Sequence, residues 1–507
     1  MGFDRRRRWV TLLAMTGSLS MIMIDQTVVS VALPRIQSDL DISQNGLQWV
    51  MNGYILALAA TVALGGRLGD TLGRLKAFVG GVILFAAASA ACGLAQGAAS
   101  LVAARVLQGI GAAFMQPASA AIVTSAFPLR ERGRAMAVYA GVAMSLMAAG
   151  PLLGGVITQY VSWRWVFLIN LPVAAAAVTL ALVFCRAEDT STQEALDTAG
   201  LVLLVLGVPA LVFGIQQGSV FGWSSMITLG SIFGGLALLA ALVLVERRVP
   251  FPLIDVSLFE NRFFRADALL LLFIQFGLVS QVVFLSIYLQ KVLGFSPLQT
   301  GLALLVLVVP AVAVSQVAGR VFDRVGVKPL AVAGSLLITL GFLAHALFLG
   351  RQAFSWVVPG MFLFGTGAGL VLTPANTDGL SRIPDLRRGQ ASGLLQTLRQ
   401  MGGTLGLAVI GTLFTAVERT GIHSLVQAQG GSEAHRTHLI GLLQSAAEGQ
   451  TTALGELAAS RPELLPGLRE VTSRGITAGF SLSTGVMLLA LLVAVFMMRP
   501  GRQTHDA

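Results

Sequence analysis

Charged side chains are scarce in this sequence of 507 residues. Only 11% of the residues are Asp, Glu, Lys or Arg, against roughly 25% in soluble domains. Hydrophobic residues make up 55% of the chain, and the mean hydropathy is +0.79. A soluble fold of this length has too little interior to hide that much apolar surface. The composition therefore excludes a soluble globular protein and predicts an integral membrane protein, for which the bilayer acts as an apolar solvent.

Cysteine and recognisable catalytic motifs are also nearly absent. The two cysteines, Cys92 and Cys185, both fall in predicted helices, which predicts packing residues and neither a disulfide framework nor a metal site. We find no Walker-type phosphate loop, no paired metal-ligand spacing and no nucleophile elbow. These absences argue against an ATP-driven pump and against an enzyme, and we expect no bound cofactor and no metal.

The net charge of +10 does not indicate nucleic-acid binding, because the basic residues lie in short clusters between apolar runs. That pattern is typical of cytoplasmic loops, which are enriched in Lys and Arg. With the N-terminus placed in the cytoplasm, the inside segments hold Arg5 to Arg8, Arg74, Lys76, Arg130, Arg132, Arg134, Arg186, Arg247, Arg248, Arg320, Arg324, Lys328, Arg382, Arg387, Arg388, Arg499 and Arg502. We therefore expect a multi-pass protein of the inner, or cytoplasmic, cell membrane with both termini cytoplasmic.

About fourteen segments are long and apolar enough to span a bilayer, which requires roughly 20 residues each. The first, at 9–33, is too long for a signal peptide and carries Asp25, so we interpret it as a retained helix. A long polar segment at about 418–477 would lie outside as a loop. The sequence thus predicts an all-α polytopic membrane protein with spans at about 9–33, 47–67, 77–97, 101–125, 136–159, 165–185, 199–218, 227–246, 268–291, 299–319, 329–350, 355–377, 396–417 and 477–498.

Two short sequences recur at nearly equal distances. GRLGDTLG at 66–73 recurs as GRVFDRVG at 319–326, and PLRERGRA at 128–135 recurs as PDLRRGQA at 384–391. The shifts are 253 (319 minus 66) and 256 (384 minus 128), each equal to eight predicted helices. Parallel repeats of this kind are typical of alternating-access transporters. We predict a six-helix bundle at 1–186, an inserted helix pair at 187–260 and a second six-helix bundle at 261–507.

The repeated segments suggest a conformational latch at the cytoplasmic ends of the helices. Three glycines of the first segment allow a tight turn and close helix approach, and its aspartate can pair with a loop arginine. The alternative is a basic loop with helix-capping residues. The predicted latch consists of Gly66, Gly69, Asp70, Gly73 and Arg74, with Asp323, Arg132 and Arg388.

Asp25 and Arg105 are charged residues inside predicted spans, where charge is costly and usually functional. A buried charge needs a partner, so we predict that the two interact and carry proton coupling, with Gln108 extending the network. The alternatives are a purely structural role for Asp25 and an Arg105 side chain that snorkels outward or bonds only backbone carbonyls.

Polar and small residues in other helices give further candidates. Gly150 and Gly154 share a helix face, Gly155 follows, and Pro151 leaves a carbonyl without its usual donor, which suits a close crossing between the halves. Generic small-residue packing is the alternative. Four residues are candidates for a solute cavity: Gln26, Gln108, Trp49 and Tyr54. Trp49 and Tyr54 can equally be anchors at the membrane interface.

These motifs resemble those of the major facilitator superfamily, and DQTVV at 25–29 with ALP at 32–34 resembles the first-helix signature of its fourteen-helix drug:proton antiporters. RVLQGIG at 105–111 is similar to the fourth-helix motif, and the glycines around Pro151 to the antiporter motif. The signature loop departs at Thr71 and Leu75, where basic residues are common. The resemblance implies the major facilitator fold, two six-helix bundles plus two inserted helices, and proton-driven export of lipophilic or amphipathic drugs.

The expected partners are a small-molecule substrate, the lipid bilayer and an optional periplasmic adaptor of a tripartite efflux system, with no nucleic acid. The proton gradient is the expected energy source. Two alternatives stay open at this point: a transporter of the same fold for one specific metabolite, in either direction, and a non-transporting membrane sensor.

Overall fold

The computed structural model describes residues 2–185, 197–249, 252, 256–381, 383, 388–429, 433–447 and 451–498. Within these ranges the chain is almost entirely helical and contains no β-strand. This follows from the composition, because a helix satisfies its backbone hydrogen bonds internally, as a membrane interior requires.

Seventeen α-helices follow one another along the described chain. They are α1 (Gly2–Leu40), α2 (Gln44–Leu72), α3 (Arg74–Gly93), α4 (Ala98–Ala126), α5 (Leu129–Tyr160), α6 (Trp165–Leu168), α7 (Asn170–Phe184), α8 (Thr198–Phe221), α9 (Met226–Glu246), α10 (Arg262–Ile287), α11 (Pro297–Val325), α12 (Val327–Phe348), α13 (Phe354–Ser381), α14 (Arg388–Gln429), α15 (Glu433–Ala447), α16 (Thr451–Ser460) and α17 (Leu464–Phe496). A π-helical turn, Tyr288–Val292, continues α10.

Thirteen spans, or fourteen if one bent helix is included, are long and apolar enough to cross a membrane in the described chain. The bent one is α5, whose parts Gly141–Met147 and Ala149–Tyr160 meet at 41°. Pro151 lies just beyond the bend and lacks the amide hydrogen that would bond four residues back, which explains the kink. The predicted count of about fourteen is therefore confirmed.

The predicted internal repeat is present in the helix boundaries. Helices α2 and α11 both have 29 residues and begin at Gln44 and Pro297, a shift of 253 (297 minus 44). Helices α4 and α13 begin at Ala98 and Phe354, a shift of 256 (354 minus 98). Both shifts equal those of the sequence motifs, so the repeated motifs belong to repeated helices.

Helix packing follows the same repeat. In the first set, α2 and α3 pack on α4, and α1 packs on α5 and α7. In the second set, α11 and α12 pack on α13, and α10 packs on α14 and α17. The two sets meet where α5 packs on α11 and α14 packs on α2. The inserted helices α8 and α9 pack on each other, and α8 also contacts both α2 and α14. The predicted domain boundaries themselves stay a prediction.

Helix boundaries differ from the predicted spans in two places. Helix α1 continues beyond the predicted span at 9–33 to Leu40, with Pro34 inside it. The segment at about 418–477 is largely helical: α14 runs on to Gln429, α15 and α16 follow, and α17 begins at Leu464. Its location outside the membrane stays a prediction. These helices share a small apolar cluster of their own that includes Ile422, Leu443 and Leu457. Helices α15 and α16 are amphipathic and too short and polar to span a bilayer, which is why hydropathy alone missed them.

Candidate functional site

The centre of the first helix set is an ion pair between α1 and α4. Arg105 Nη1 lies 2.6 Å from Asp25 Oδ2, and both side chains are fully buried. Arg105 Nε also donates to the backbone carbonyl of Val50 on α2 at 3.0 Å. The predicted contact is thus present, and the arginine neither snorkels outward nor bonds only carbonyls. An ion pair without solvent access depends on its hydrogen bonds, because neither charge is hydrated.

Gln108 extends the hydrogen bonding of the pair, as the sequence predicts. Its Nε2 donates to Asp25 Oδ1 at 3.1 Å, and its Oε1 accepts from Arg105 Nη1 at 2.7 Å. Both carboxylate oxygens of Asp25 therefore have a donor. Arg105 and Gln108 are three residues apart on α4, which puts both on one face of the helix.

Two neutral residues that the sequence analysis did not select extend this network. Ser89 on α3 accepts hydrogen bonds from Gln108 Nε2 at 3.2 Å and from Asn170 Nδ2 at 3.0 Å. Its own hydroxyl donates to the Phe167 carbonyl at 2.9 Å. Both residues are polar and lie inside predicted spans, which could have marked them as candidates for the network. The sequence does not show which neighbouring helix they face.

Aromatic rings enclose the guanidinium group. The Arg105 carbon Cζ lies 4.3 Å from the centre of the Tyr54 ring and 5.7 Å from that of Phe167. Cation–π contacts of this kind strengthen when the cation has lost its water. Tyr54 is fully buried ten residues into α2, so it is not an anchor at the membrane interface.

A second feature is a cavity between the two helix sets. Its empty volume is about 830 Å³, including space open to solvent. The lining residues come from α1, α2 and α5 on one side and from α10, α11 and α13 on the other. The described lining is mostly aliphatic, and its polar side chains are Gln26, Thr27, Ser315 and Thr373. A mainly apolar cavity with a few polar groups is typical of small-molecule sites.

Only one of the four cavity candidates lines this space. Gln26 lies in the wall, whereas Gln108 and Tyr54 are fully buried around Arg105. Trp49 is half-buried and packs against Phe213 of the inserted helix α8, with ring centres 6.1 Å apart. The sequence could not separate these cases, because residues one apart on a helix point in directions about 100° apart.

A hydrogen bond from α1 compensates for the proline in α5. Pro151 leaves the carbonyl of Met147, four residues earlier, without its backbone donor. Thr27 Oγ1 lies 3.0 Å from that carbonyl oxygen and donates to it. A side chain built at Gly150 would collide with Thr27, and one at Gly154 would lie 2.6 Å from the Val28 carbonyl. Gly150 and Gly154 therefore make a close crossing with α1 of the same set, which differs from the predicted crossing between the two halves.

The same helix also touches the other set. A Cβ atom at Gly155 would lie 2.6 Å from the Pro297 carbonyl at the start of α11. In return, a Cβ atom at Gly301 on α11 would collide with the Pro151 carbonyl. Glycine at these positions lets the backbones of the two sets approach each other, which is more specific than general small-residue packing.

The structure describes the positions of only some residues of the predicted latch. Gly66 and Gly69 lie within α2, where an added Cβ atom would find ordinary contacts at 3.8 and 3.9 Å, so neither is needed for a tight turn. The close approach to α4 falls instead on Gly65, whose Cβ would collide with the Ala113 carbonyl. Gly73, with φ of 98°, alone separates α2 from α3, and Arg74 is the first residue of α3.

The remaining latch residues fall on positions whose side chains lie outside the described part of the chain: Asp70, Asp323, Arg132 and Arg388. Their contacts therefore stay a prediction.

Several hydrogen bonds join the two sets at the predicted outer ends. Gln290 Nε2 donates to the Val31 carbonyl at 2.9 Å, and Lys291 Nζ donates to Gln37 Oε1 at 2.6 Å. The Leu298 amide donates to Gln159 Oε1 at 3.2 Å. These contacts hold the outer ends of α1, α5, α10 and α11 together.

A polar pair in the second set has a different character. Gln281 on α10 and His345 on α12 are both fully buried, with Gln281 Nε2 3.2 Å from His345 Nδ1. His345 Nε2 lies 3.1 Å from the Val357 carbonyl. Since a carbonyl only accepts, Nε2 carries the proton and Nδ1 accepts from Gln281, which fixes a neutral ring. The sequence analysis did not select this pair as a site.

Comparison with known proteins fits this geometry. The family model described as the Major Facilitator Superfamily matches residues 15–407. This chain belongs to the Major Facilitator Superfamily. It is 34% identical over 413 residues to the tetracenomycin C resistance and export protein of Streptomyces glaucescens, covering 81% of this chain and 77% of that protein.

Two other relatives of this superfamily member are similarly close. The multidrug resistance protein Stp of Mycobacterium tuberculosis is 34% identical over 414 residues, covering 81% of this chain and 76% of that protein. The puromycin resistance protein of Streptomyces alboniger is 34% identical over 415 residues, covering 81% and 82%.

Solved structures show the same fold. A bacterial homologue of the lysosomal transporter Spinster superposes with a TM-score of 0.61 at 18% identity, covering 97% of this chain and 98% of that one. The D-xylose–proton symporter gives a TM-score of 0.59 at 15% identity, covering 88% and 96%. The predicted fold class, the superfamily and the classification as a multi-pass membrane transporter are therefore confirmed.

Proposed function

We propose that this chain exports lipophilic or amphipathic compounds, including drugs and other toxic molecules, in exchange for protons. The observation that carries the proposal is the fully buried ion pair between Asp25 and Arg105. Asp25 lies on α1, and the same helix also lines the apolar cavity between the two sets. Relatives named for resistance or export support the substrate class.

The proton would act on Asp25. In the ionised state, Arg105 Nη1 and Gln108 Nε2 donate to its two oxygens. A proton on the carboxyl group removes its charge and one acceptor site, which leaves Arg105 without a counter-charge in a dry environment. The pair then loosens, and the arrangement of α1 against α4 changes. A proton shifts the conformational equilibrium only by its difference in affinity for the two states.

Helix α1 links this proton site to the solute cavity. Asp25 faces α4, while the next two residues, Gln26 and Thr27, line the cavity. Thr27 also holds the Met147 carbonyl of α5. A change at Asp25 therefore reaches both the cavity wall and the α5 crossing through one rigid helix.

Orientation and partners follow the sequence analysis. Protons enter from the outside, both termini lie in the cytoplasm, and the protein resides in the cell membrane. The periplasmic adaptor stays a prediction. The named relatives come from Streptomyces and Mycobacterium, and their names mention no partner protein.

The proposal is tested with the purified protein in liposomes that contain a pH indicator. Lipophilic solutes of different charge are added across an imposed pH gradient, and solute-induced proton movement is recorded. Asp25→Asn keeps the shape of the side chain and one acceptor oxygen but cannot exchange a proton. We expect this variant to insert normally and to lose at least about tenfold of the solute-induced proton movement, since its coupling group is missing.

The matched control is Asp39→Asn. Asp39 lies on the same helix and its ion pair with Arg164 is exposed, so this variant is expected to retain proton movement. Asp25→Asn with proton movement like the wild type would remove Asp25 from the mechanism. A wild-type protein that moves protons with none of the solutes would overturn the proposed function.

A further inference from the structure

The described lining of the cavity carries no charge. None of its sixteen described residues has an ionisable side chain. Moving a charged group from water into such a space without a counter-charge is costly. The lining therefore offers nothing that would compensate a permanent charge on a solute.

The nearest carboxylate in the sequence is not available to a solute. Asp25 precedes the lining residue Gln26, but it is fully buried and absent from the lining. Arg105 and Gln108 occupy both of its oxygens. A cationic solute would have to displace an arginine from its own ion pair before it could use this charge.

Among the described lining residues, Gln26 has a buried hydrogen-bond donor, whereas Thr373 is exposed. The Nε2 atom of Gln26 makes no close hydrogen bond within the described residues, and the Tyr54 hydroxyl beside it is the acceptor with which a solute would compete. By contrast, the hydroxyl groups of Thr27 and Ser315 already donate to backbone carbonyls, at 3.0 Å to Met147 and 2.9 Å to Val312. An amide nitrogen left in this way is expected to find an acceptor, because an unsatisfied buried donor is unfavourable.

Gln26 also stands between the cavity and the ion pair. The Tyr54 hydroxyl lies beside Gln26, and the Tyr54 ring stacks on the Arg105 guanidinium at 4.3 Å. Only the side chains of Gln26 and Tyr54 therefore separate a solute bonded to Gln26 from Arg105.

We infer that the cavity recognises uncharged solutes that carry a hydrogen-bond acceptor, and that Gln26 is the donor that binds this acceptor. This inference rests on the proposed function, since it names the substrate class of the same cavity. It excludes permanent cations as preferred solutes.

Two dyes with the same fused ring system test the inference. Nile red is neutral and carries a ring carbonyl, whereas Nile blue carries a cationic nitrogen group at that position. In wild-type liposomes we expect half-maximal proton movement at a concentration of Nile red that is at least about tenfold lower than that of Nile blue. Binding of each dye to the detergent-solubilised protein, measured by titration calorimetry, gives a second readout that does not require transport.

Variants at Gln26 separate recognition from packing. Gln26→Leu keeps the size but removes the donor, and we expect about a tenfold weaker binding of Nile red with little change for Nile blue. Gln26→Glu introduces a carboxylate and is expected to improve the binding of Nile blue. Gln316→Leu is the matched control, because Gln316 is exposed and does not line the cavity.

Equal half-maximal concentrations for the two dyes in the wild type would overturn the inference, as would unchanged Nile red binding in Gln26→Leu. Both results leave the proposed function intact if Asp25→Asn still abolishes proton movement. Loss of binding in Gln316→Leu as well would also count against a specific role for Gln26.

Discussion

The polar centres of the two helix sets differ in charge. In the first set, Asp25 and Arg105 form a buried ion pair whose partners lie on α1 and α4. In the second set, Gln281 and His345 join α10 and α12 through neutral groups only. Both centres tie three or more elements together, so both stabilise their set. Only the first contains a carboxylate that a proton can neutralise.

The internal repeat places the two centres at similar but not equal positions. His345 corresponds to Cys92 under the shift of 253 (345 minus 92), and Leu278 corresponds to Asp25 (278 minus 25). Gln281 thus lies three residues, slightly less than one turn, beyond the counterpart of Asp25. The repeat has kept the helices in place while the polar groups differ, so the Asp25–Arg105 pair suits proton exchange and the Gln281–His345 pair suits a fixed scaffold.

Among the substitutions that test the difference between the two polar centres, replacement of Arg105 should have the largest effect. In Arg105→Ala the Asp25 carboxylate loses its counter-charge in a fully buried site, and breaking such a pair costs about 3–5 kcal/mol. We expect a clear fall in the thermal unfolding midpoint in detergent and loss of proton-coupled transport. Arg164→Ala removes an arginine from an exposed ion pair and serves as the control, with an expected cost below about 1 kcal/mol. Equal destabilisation by the two variants would contradict the special role of the buried pair.

Breaking the neutral centre should have an intermediate effect. His345→Phe removes the bonds to Gln281 and to the Val357 carbonyl. Interhelical hydrogen bonds in membranes contribute about 0.6 kcal/mol on average and up to about 1.7, so we expect a cost of about 1–3 kcal/mol. Proton movement per transported solute should stay the same in liposomes. A changed proton ratio in this variant would show that the second set also takes part in coupling.

The repeat counterpart of His345 should matter least. Cys92 is fully buried and makes one weak contact, with its sulfur 3.7 Å from Gln108 Oε1. We expect Cys92→Ala to lower the free energy of unfolding by about 1 kcal/mol or less and to leave transport unchanged. Denaturation in detergent, compared directly with His345→Phe, measures the difference. A larger cost for Cys92→Ala would mean that the sulfur supports the ion pair more than its geometry indicates.

Features that depend on one residue type and one helix were predictable from the sequence. The charges of Asp25 and Arg105 stand out against apolar neighbours, and few partners exist for either within the bilayer. A proline inside a helix, such as Pro151, leaves the carbonyl four residues earlier without its usual donor. The repeats gave the shift that the helix boundaries reproduce.

Features that depend on the rotation of one helix against another were not predictable. Nothing in the sequence shows that Ser89 faces Gln108 and Asn170, or that Gln26 faces the cavity while Asp25 does not. Neutral polar residues are common in membrane helices, so Gln281 and His345 could not be ranked above others. Helices α15 and α16 were not predicted from hydropathy, because their apolar residues form only one narrow face.

The joints at Gly73 and Gly326 set a limit on how this molecule can deform. Each is a single residue with positive φ, 98° and 79°, between two long helices, so the chain there has no slack to extend. The adjoining ends of α2 and α3, and those of α11 and α12, must therefore stay together when these helices tilt. Distances measured between probes placed beside Gly73 or Gly326 should stay constant through the transport cycle, whereas distances between the far ends of the joined helices are free to change.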